Sequence, residues 1–201
     1  MSALDAEQQR AVLDGAMQLF AQYDLGDISL DKITKLTGLP AFHIVRQYHS
    51  SENILKAVLE RELELMAAAA QDPELRMPGE TLGDELHVLA GVILDQYRKR
   101  IKFLAKILSE AISNPGVGKL FYNTFIVQGR MLFTEFLSVR KERGELRDEV
   151  DVEAAAAMFL ASLTGMFMMH EIFGGKQVEP LDDERILSQM CDTFLRGVIR
   201  T

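Results

Sequence analysis

The sequence predicts an all-α protein of about nine helices, a small N-terminal three-helix unit followed by a larger helical domain. Three observations carry that prediction. Apolar residues recur at spacings of three and four along almost the whole chain, and no alternating run reaches the length of a strand. Ala, Leu, Glu, Gln, Lys and Met dominate the periodic stretches, and these are strong helix formers. Capping and stop residues fall at the ends of those stretches, where free backbone groups need partners.

The first helix begins near Asp5, which with Gln8 has the spacing of a capping box. Val12, Leu13, Ala16, Met17 and Phe20 form its apolar face, and the helix ends around Tyr23–Gly26. Ser29 caps a short second helix that turns Ile33 and Leu36 inward, and Gly38 stops it in the manner of a left-handed C-terminal residue. Pro40 suits the first position of the third helix, two turns long and ending near Tyr48. Ser50 opens a longer helix through Ile54, Leu55, Val58 and Leu59 toward Ala70, on which Glu60, Glu62 and Glu64 read as solvated. Residues 71–81 concentrate Pro73, Pro78 and Gly79, the best candidate for a break between a small N-terminal unit and a larger one.

Beyond the break, Leu82, Leu86, Leu89, Ile93 and Tyr97 mark one helix, and Phe103, Leu104, Ile107 and Leu108 another. Asn114-Pro115-Gly116 is a turn signal. A long helix follows with Leu120, Phe121, Phe125, Leu132, Phe136 and Val139. Residues 142–151 form a polar connector into an Ala-rich helix from Val152 to Phe173, closed by Gly174-Gly175. Asp182 caps the last helix, with Leu181 and Ile186 at hydrophobic-staple spacing and a stripe of Ile186, Leu187, Met190, Phe194, Leu195 and Val198.

Composition narrows the function classes. With 48% hydrophobic and 26% charged residues the chain is globular rather than disordered. The lone Cys191 excludes an intramolecular disulfide and a Cys-rich zinc site, and its apolar setting reads as a packing thiol. The first 25 residues lack the apolar core of a signal peptide. The window Ala154 to Phe173 approaches bilayer-spanning length, but Ser162, Thr164, His170 and Glu171 within it favour a helix buried by protein on several sides. A soluble cytoplasmic protein without membrane attachment is the expectation. No nucleotide-binding loop, serine elbow or paired Cys/His spacing occurs, so neither an enzyme, a cofactor nor a metal is expected.

Residues 28–55 hold the most informative pattern: two short amphipathic helices across a tight Gly38 turn, then the start of a third. Such a pair presents its second helix to a DNA groove. On that helix Ile44 and Tyr48 point inward, whereas Ala41, His43, Arg46 and Gln47 face out, with His43, Arg46 and Gln47 able to donate hydrogen bonds to bases or phosphates. Ser50-Ser51 offers helix-start amides to a phosphate, and Ser29 offers the same on the other side, next to Lys32. Charge runs the other way. The whole chain carries −8, and residues 1–60 hold five cations against eight anions, a net −3.

Phe20, Ile33, Thr37-Gly38-Leu39, Ile44, Tyr48, Ser50 and Glu52 together resemble the N-terminal signature of the TetR family of transcriptional repressors, in which a helix ending in "LF" precedes "IA..AGVS.GTLY.HF.SKE.L". RGELRDEVDVEAAA, residues 143–156, resembles the family's connector into its eighth helix. The resemblance covers the whole chain, with its specific motifs in the first third. It implies a DNA-binding unit over 1–49 and a helical effector-binding and dimerisation domain over 50–201. It also implies a double-stranded DNA operator, a small apolar or amphipathic effector and a homodimer. The DNA-contact set is then Ser29, Lys32, Ala41, Phe42, His43, Arg46, Gln47, Ser50 and Ser51. The effector set is Tyr97, Phe103, Ile107, Phe121, Phe125, Met166, Met169 and His170. Ala157, Ala161, Gly165, Ile186, Met190 and Phe194 form the dimer face.

The chain departs from the pattern at DNA-facing positions. Val45 stands where the family has a phosphate-orienting tyrosine, Ser51 where it has lysine, Phe42 where it has glycine, and Asp31 near a position often basic or polar. Each phosphate left without a protein partner lowers the salt slope of binding by about 0.9. Two readings therefore stand: a ligand-responsive repressor, and a TetR-like protein that binds a ligand or partner with weakened or lost DNA binding.

Overall fold

The computed structural model describes residues 4–72, 81–180 and 182–200. Helices α1 (Ala6–Phe20), α2 (Leu30–Thr37), α3 (Ala41–Tyr48), α4 (Ser51–Ala70), α5 (Leu82–Lys99) and α6 (Ile101–Ser113) come first. Then follow α7 (Pro115–Phe121), α8 (Val127–Glu142), α9 (Val152–Phe167), α10 (Gly175–Val178) and α11 (Asp183–Val198). A π turn over Tyr122–Ile126 joins α7 to α8, and a second over Met168–Ile172 extends α9. Counting each π turn with its helix, nine rods of eight residues or more stand among the described residues, with no strand beyond one isolated bridge, Leu146 to Ile199.

The chain forms two compact units, residues 1–64 with 100–126 and residues 65–99 with 127–201. In the first, Val12, Ala16 and Phe20 of α1, Ile33 of α2, Ile44 of α3 and Ile54, Leu55, Val58 and Leu59 of α4 are buried. Tyr48 of α3, Phe103, Leu104 and Ile107 of α6 and Val117 and Phe121 of α7 are buried in the same unit. In the second, Leu86, Ala90, Leu94 and Tyr97 of α5, Phe133 and Leu137 of α8, Phe159 and Leu163 of α9 and Leu187 and Cys191 of α11 are buried. The phenyl ring of Phe159 stacks on Phe133 at 5.0 Å and tilts against Phe194 at 4.8 Å.

Most helix ends follow the local chemistry. Asp5 and Gln8 close the capping box, and Ser29 Oγ accepts from the Lys32 amide at 3.2 Å. Ser50 Oγ accepts from the Asn53 amide, and Asp182 from that of Arg185. Gly38 takes φ +69°, the left-handed conformation a side chain resists. Pro40 sits one residue earlier than expected, as the extended N-cap rather than the first helical residue. Asn114-Pro115-Gly116 is a helix start, not a free turn: Asn114 caps α7 and Pro115 occupies its first turn. Leu181 of the expected staple and Pro73, Pro78 and Gly79 of the expected break lie outside the described residues.

Five apolar or polar assignments shift. On α2 only Ile33 is buried, whereas Leu36, expected inward, is 49% exposed. Beyond the first π turn the buried stripe runs through Phe133 and Leu137, while Leu132 and Val139 are exposed. A π turn closes its hydrogen bonds over five residues instead of four. The extra residue advances the downstream face by one position, from 132 and 136 to 133 and 137. On α5 the buried face is Leu86, Ala90, Leu94 and Tyr97, with Leu89 and Ile93 only half-buried. Glu62 is not solvated but 3% exposed, because it continues the α4 stripe of Leu55, Val58, Leu59 and Met66. The connector 142–151 is anchored by fully buried Leu146 and by Val150.

Candidate nucleic-acid interface

The turn between α2 and α3 sets the geometry of the N-terminal unit. Thr37 Oγ1 donates back to the Ile33 carbonyl at 2.8 Å, and the Gly38 amide bonds the Thr34 carbonyl. The chain then reverses through Gly38 into α3, which is anchored by fully buried Ile44 and by Tyr48. Its far end is held by Asn53, whose Nδ2 donates to the Tyr48 carbonyl at 2.8 Å. His49 ends the helix at φ +64°, the one non-glycine residue with positive φ among those described.

Side-chain directions on α3 follow from its anchors. At about 100° per residue, Phe42 and Arg46 lie within about 20° of the direction opposite Ile44, flanked by Val45 and His43. Phe42 is 55% exposed and Val45 44%, and Arg46 is also exposed. Ala41 and Gln47 stand at the flanks, half-buried, and Gln47 Oε1 is withdrawn from solvent. By direction the outward face is thus Phe42, His43, Val45 and Arg46, with His43 half-buried on it, and Ala41 and Gln47 do not lead as expected. In the sequence Val45 stands out only as a missing tyrosine; its position one residue before Arg46, away from Ile44, is the signal that marks it as outward.

Ser29 is exposed, and Ser50 and Ser51 half-exposed, at the starts of α2 and α4. Lys32 is exposed too, but its ammonium donates to the Asp27 carbonyl at 2.6 Å and sits 4.6 Å from the Tyr23 ring centre. A phosphate would share it with those partners.

The acidity of residues 1–60 is offset by cations from later in the chain. Asp14 pairs with Arg61 at 2.7 Å, and Asp24 with Lys106 of α6. Lys106, through its hydrogen bond and its charge, holds the Asp24 carboxyl below its ordinary range. Buried Glu62 receives Arg61 at 2.7 Å and Arg100 at 2.5 Å. Counted over the whole first unit, ten cations face eleven anions, a net −1 instead of −3.

The expected effector residues divide between the units. Phe103, Ile107, Phe121 and Phe125 are buried in the first, where the Phe121 and Phe125 rings stack at 5.3 Å. Tyr97, Met166 and His170 are buried in the second, where Tyr97 lies 5.3 Å from the Phe167 ring. Burial pushes the Tyr97 phenol up, against a hydrogen bond from Thr164 that lowers it. Met169, 64% exposed, is on the open side of its helix and not in an interior. His170 is satisfied by a carboxylate, its Nδ1 lying 2.7 Å from Asp183. Around it Arg98 bridges Glu171 and Asp183, and Lys176 reaches the same two acids at 2.6 and 2.5 Å. Among the described residues no cluster of His, Cys, Asp and Glu has metal-binding geometry.

An open groove of about 950 Å³ runs between α9 and α11, lined by Ala154, Met158 and Ser162 on one side and Ile186, Met190 and Phe194 on the other. Of the expected dimer residues, Ile186, Met190 and Phe194 line it, whereas Ala157, Ala161 and Gly165 do not. α9 with its π turn, Val152–Ile172, is long and apolar enough to cross a membrane by length and composition alone, and only 28% of its most apolar window is buried. Protein therefore covers it on fewer sides than the sequence suggested: Met158, Met169 and Phe173 are all largely exposed. Cys191 is a buried packing thiol, pushed up to about 11 by burial and by Asp192 and Glu184.

The chain is similar in structure to a TetR-family transcriptional regulator from Rhodococcus sp., with a TM-score of 0.78 at 13% identity over 95% of this chain and 100% of the other. It is also similar to the flavonoid-responsive regulator FrrA, with a TM-score of 0.73 at 20% identity over 97% and 98%. A third similar structure is the fatty acid degradation regulator FadR from Bacillus halodurans, with a TM-score of 0.69 at 18% identity over 96% and 97%. At such identities these likenesses establish the fold. No curated protein sequence matches the chain significantly. The model of the AefR-like transcriptional repressor C-terminal domain, in contrast, matches residues 96–197, just over half of the 201 residues. With a helix-turn-helix at one end and that domain at the other, the chain belongs to the TetR family of transcriptional regulators.

Proposed function

We propose that the protein is a homodimeric, ligand-responsive transcriptional repressor, with residues 1–49 reading operator DNA and residues 50–201 supplying effector binding and dimerisation. The observation that carries the reading is the outward face of α3, held beyond a left-handed Gly38 turn, with Arg46 exposed and His43 half-buried on it. Two such helices in a dimer would occupy successive major grooves about one helical turn, roughly 34 Å, apart. The open apolar groove of α9 and α11 is the surface on which a second copy would pack as a four-helix interface.

The effector is a small, largely apolar molecule. Buried aromatic and methionine side chains of α5 and α9 in the second unit, Tyr97, Phe159, Met166 and Phe167, support this, as do neighbours described as flavonoid-responsive and as a regulator of fatty acid degradation. The effector acts by binding more tightly to an arrangement whose reading helices are wrongly spaced, and only that difference in affinity releases DNA. The second reading, a ligand- or partner-binding protein with weakened DNA binding, is favoured by Val45 and Ser51 at DNA-facing positions.

Fluorescence anisotropy with duplex DNA from the region upstream of the protein's own gene, at low and moderate salt, separates the two. The repressor reading predicts sequence-preferring binding at both salts, weakened about tenfold or more by Arg46→Ala because a bidentate base contact is worth ~1–3 kcal/mol. No sequence preference at either salt sinks it.

A further inference from the structure

We infer that Phe42 and Val45 are specificity residues that read thymine methyl groups in the major groove, next to the base that Arg46 reads. The inference rests on the DNA-reading assignment of α3 and adds to it the chemistry of the half-site. Half of the outward face is hydrocarbon: Phe42 at 55% and Val45 at 44% exposure, alongside Arg46 and His43. Base edges in the major groove offer nitrogen and oxygen acceptors, amino donors and one apolar feature, the thymine C5 methyl. A hydrocarbon side chain facing an acceptor or donor leaves that group unpaired, so only the methyl rewards it.

Both side chains are positioned before DNA arrives. Val45 is β-branched and in a helix has one strongly preferred rotamer. The Phe42 ring meets the His43 imidazole edge to face, with centroids 5.7 Å apart and planes at 77°. Spacing adds a constraint. Three helical residues advance about 4.5 Å, between one and two base steps of about 3.4 Å. The half-site therefore carries one or two thymines within two steps of the guanine that Arg46 contacts. Lone exposed apolar residues are ordinary on protein surfaces; here two share the narrow face that carries Arg46.

Selection of binding sites from a random 30-base-pair duplex library with the full-length protein, followed by uracil substitution at each enriched thymine, tests this. Uracil keeps the pairing and removes only the methyl. The expected result is thymine enrichment beside a guanine and about fourfold weaker binding for each contacted methyl removed. Phe42→Ala and Val45→Ala would each erase the uracil effect at one position. An enriched site without thymine there, or equal affinity for the uracil duplex, overturns the inference and leaves DNA reading intact. So does equal uracil affinity with a drop in light-scattering mass in the Phe42→Ala variant, which would assign the patch to protein contact. Failure to enrich any sequence overturns both.

Discussion

Glu62 shows how much a single side chain can carry. It is nearly fully buried on α4, with Arg61 and Arg100 on its two oxygens, and the same Arg61 holds Asp14 of α1. Removing the carboxylate leaves two guanidiniums facing each other in a poorly hydrated site, and breaking a buried pair from one side costs about 3 kcal/mol. Glu62→Ala is expected to lower the unfolding free energy by about that amount in urea denaturation. A change below about 1 kcal/mol would mean that water reaches the arginines. Arg46 and Val45, by contrast, lie on the surface, where substitution should alter DNA binding and leave stability within about 0.5 kcal/mol.

At the scale of elements, the second π turn, α10 and the start of α11 are tied by charge. Burial alone would raise the Asp183 and Glu171 carboxyls, but the hydrogen bonds and charges of Lys176, Arg98 and, at Asp183, His170 outweigh it. Both fall below their ordinary values of 3.8 and 4.5. Lys176, despite burial, is raised above 10.5 by the same acids. Carboxyls lowered on folding contribute stability that is fully present above their unfolded range. That contribution is lost as pH falls through the lower, folded values. The lysine contribution is present below 10.5 and lost above it, so the tie holds between about pH 5 and 10. Hydrogen-exchange protection of backbone amides in 168–178 is expected to drop several-fold between pH 6 and pH 3, with the α4 amides changing less. Equal loss in both segments would show general acid unfolding instead.

Across the whole molecule, the proposed homodimer rests on the open face of α9 and α11. Met158, which is 70% exposed in the single chain, lines a groove whose surface is mainly apolar. An exposed apolar groove of this kind supports the proposed interface between two copies. The proposed homodimer predicts twice the chain mass in light scattering. Met158→Glu should weaken the association at least tenfold by placing a carboxylate of each copy in the interface. A wild-type protein that stays at the single-chain mass at micromolar concentration would overturn the dimer.

Much of this was readable in the sequence because it is local. Capping by Asp5, Ser29, Ser50 and Asp182, the left-handed Gly38 and the inward Ile44 and Tyr48 depend on neighbours within four residues, and all appear as expected. By itself, then, the sequence determined the all-α class, the order of the helices and the helix-turn-helix skeleton. The tertiary structure decided what depends on phase and on distant partners. A π turn moved the stripe of α8 by one residue, since periodicity cannot be extrapolated through a turn of different pitch. Arg61 and Lys106 claimed Asp14 and Asp24, so the head is far less acidic than its own residues imply. Gln47 turned out to be half-buried and Phe42 and Val45 exposed, because only the packed anchors of α3 set which direction faces out. Charge and exposure are properties of neighbours in space, and those neighbours lie tens of residues away along the chain.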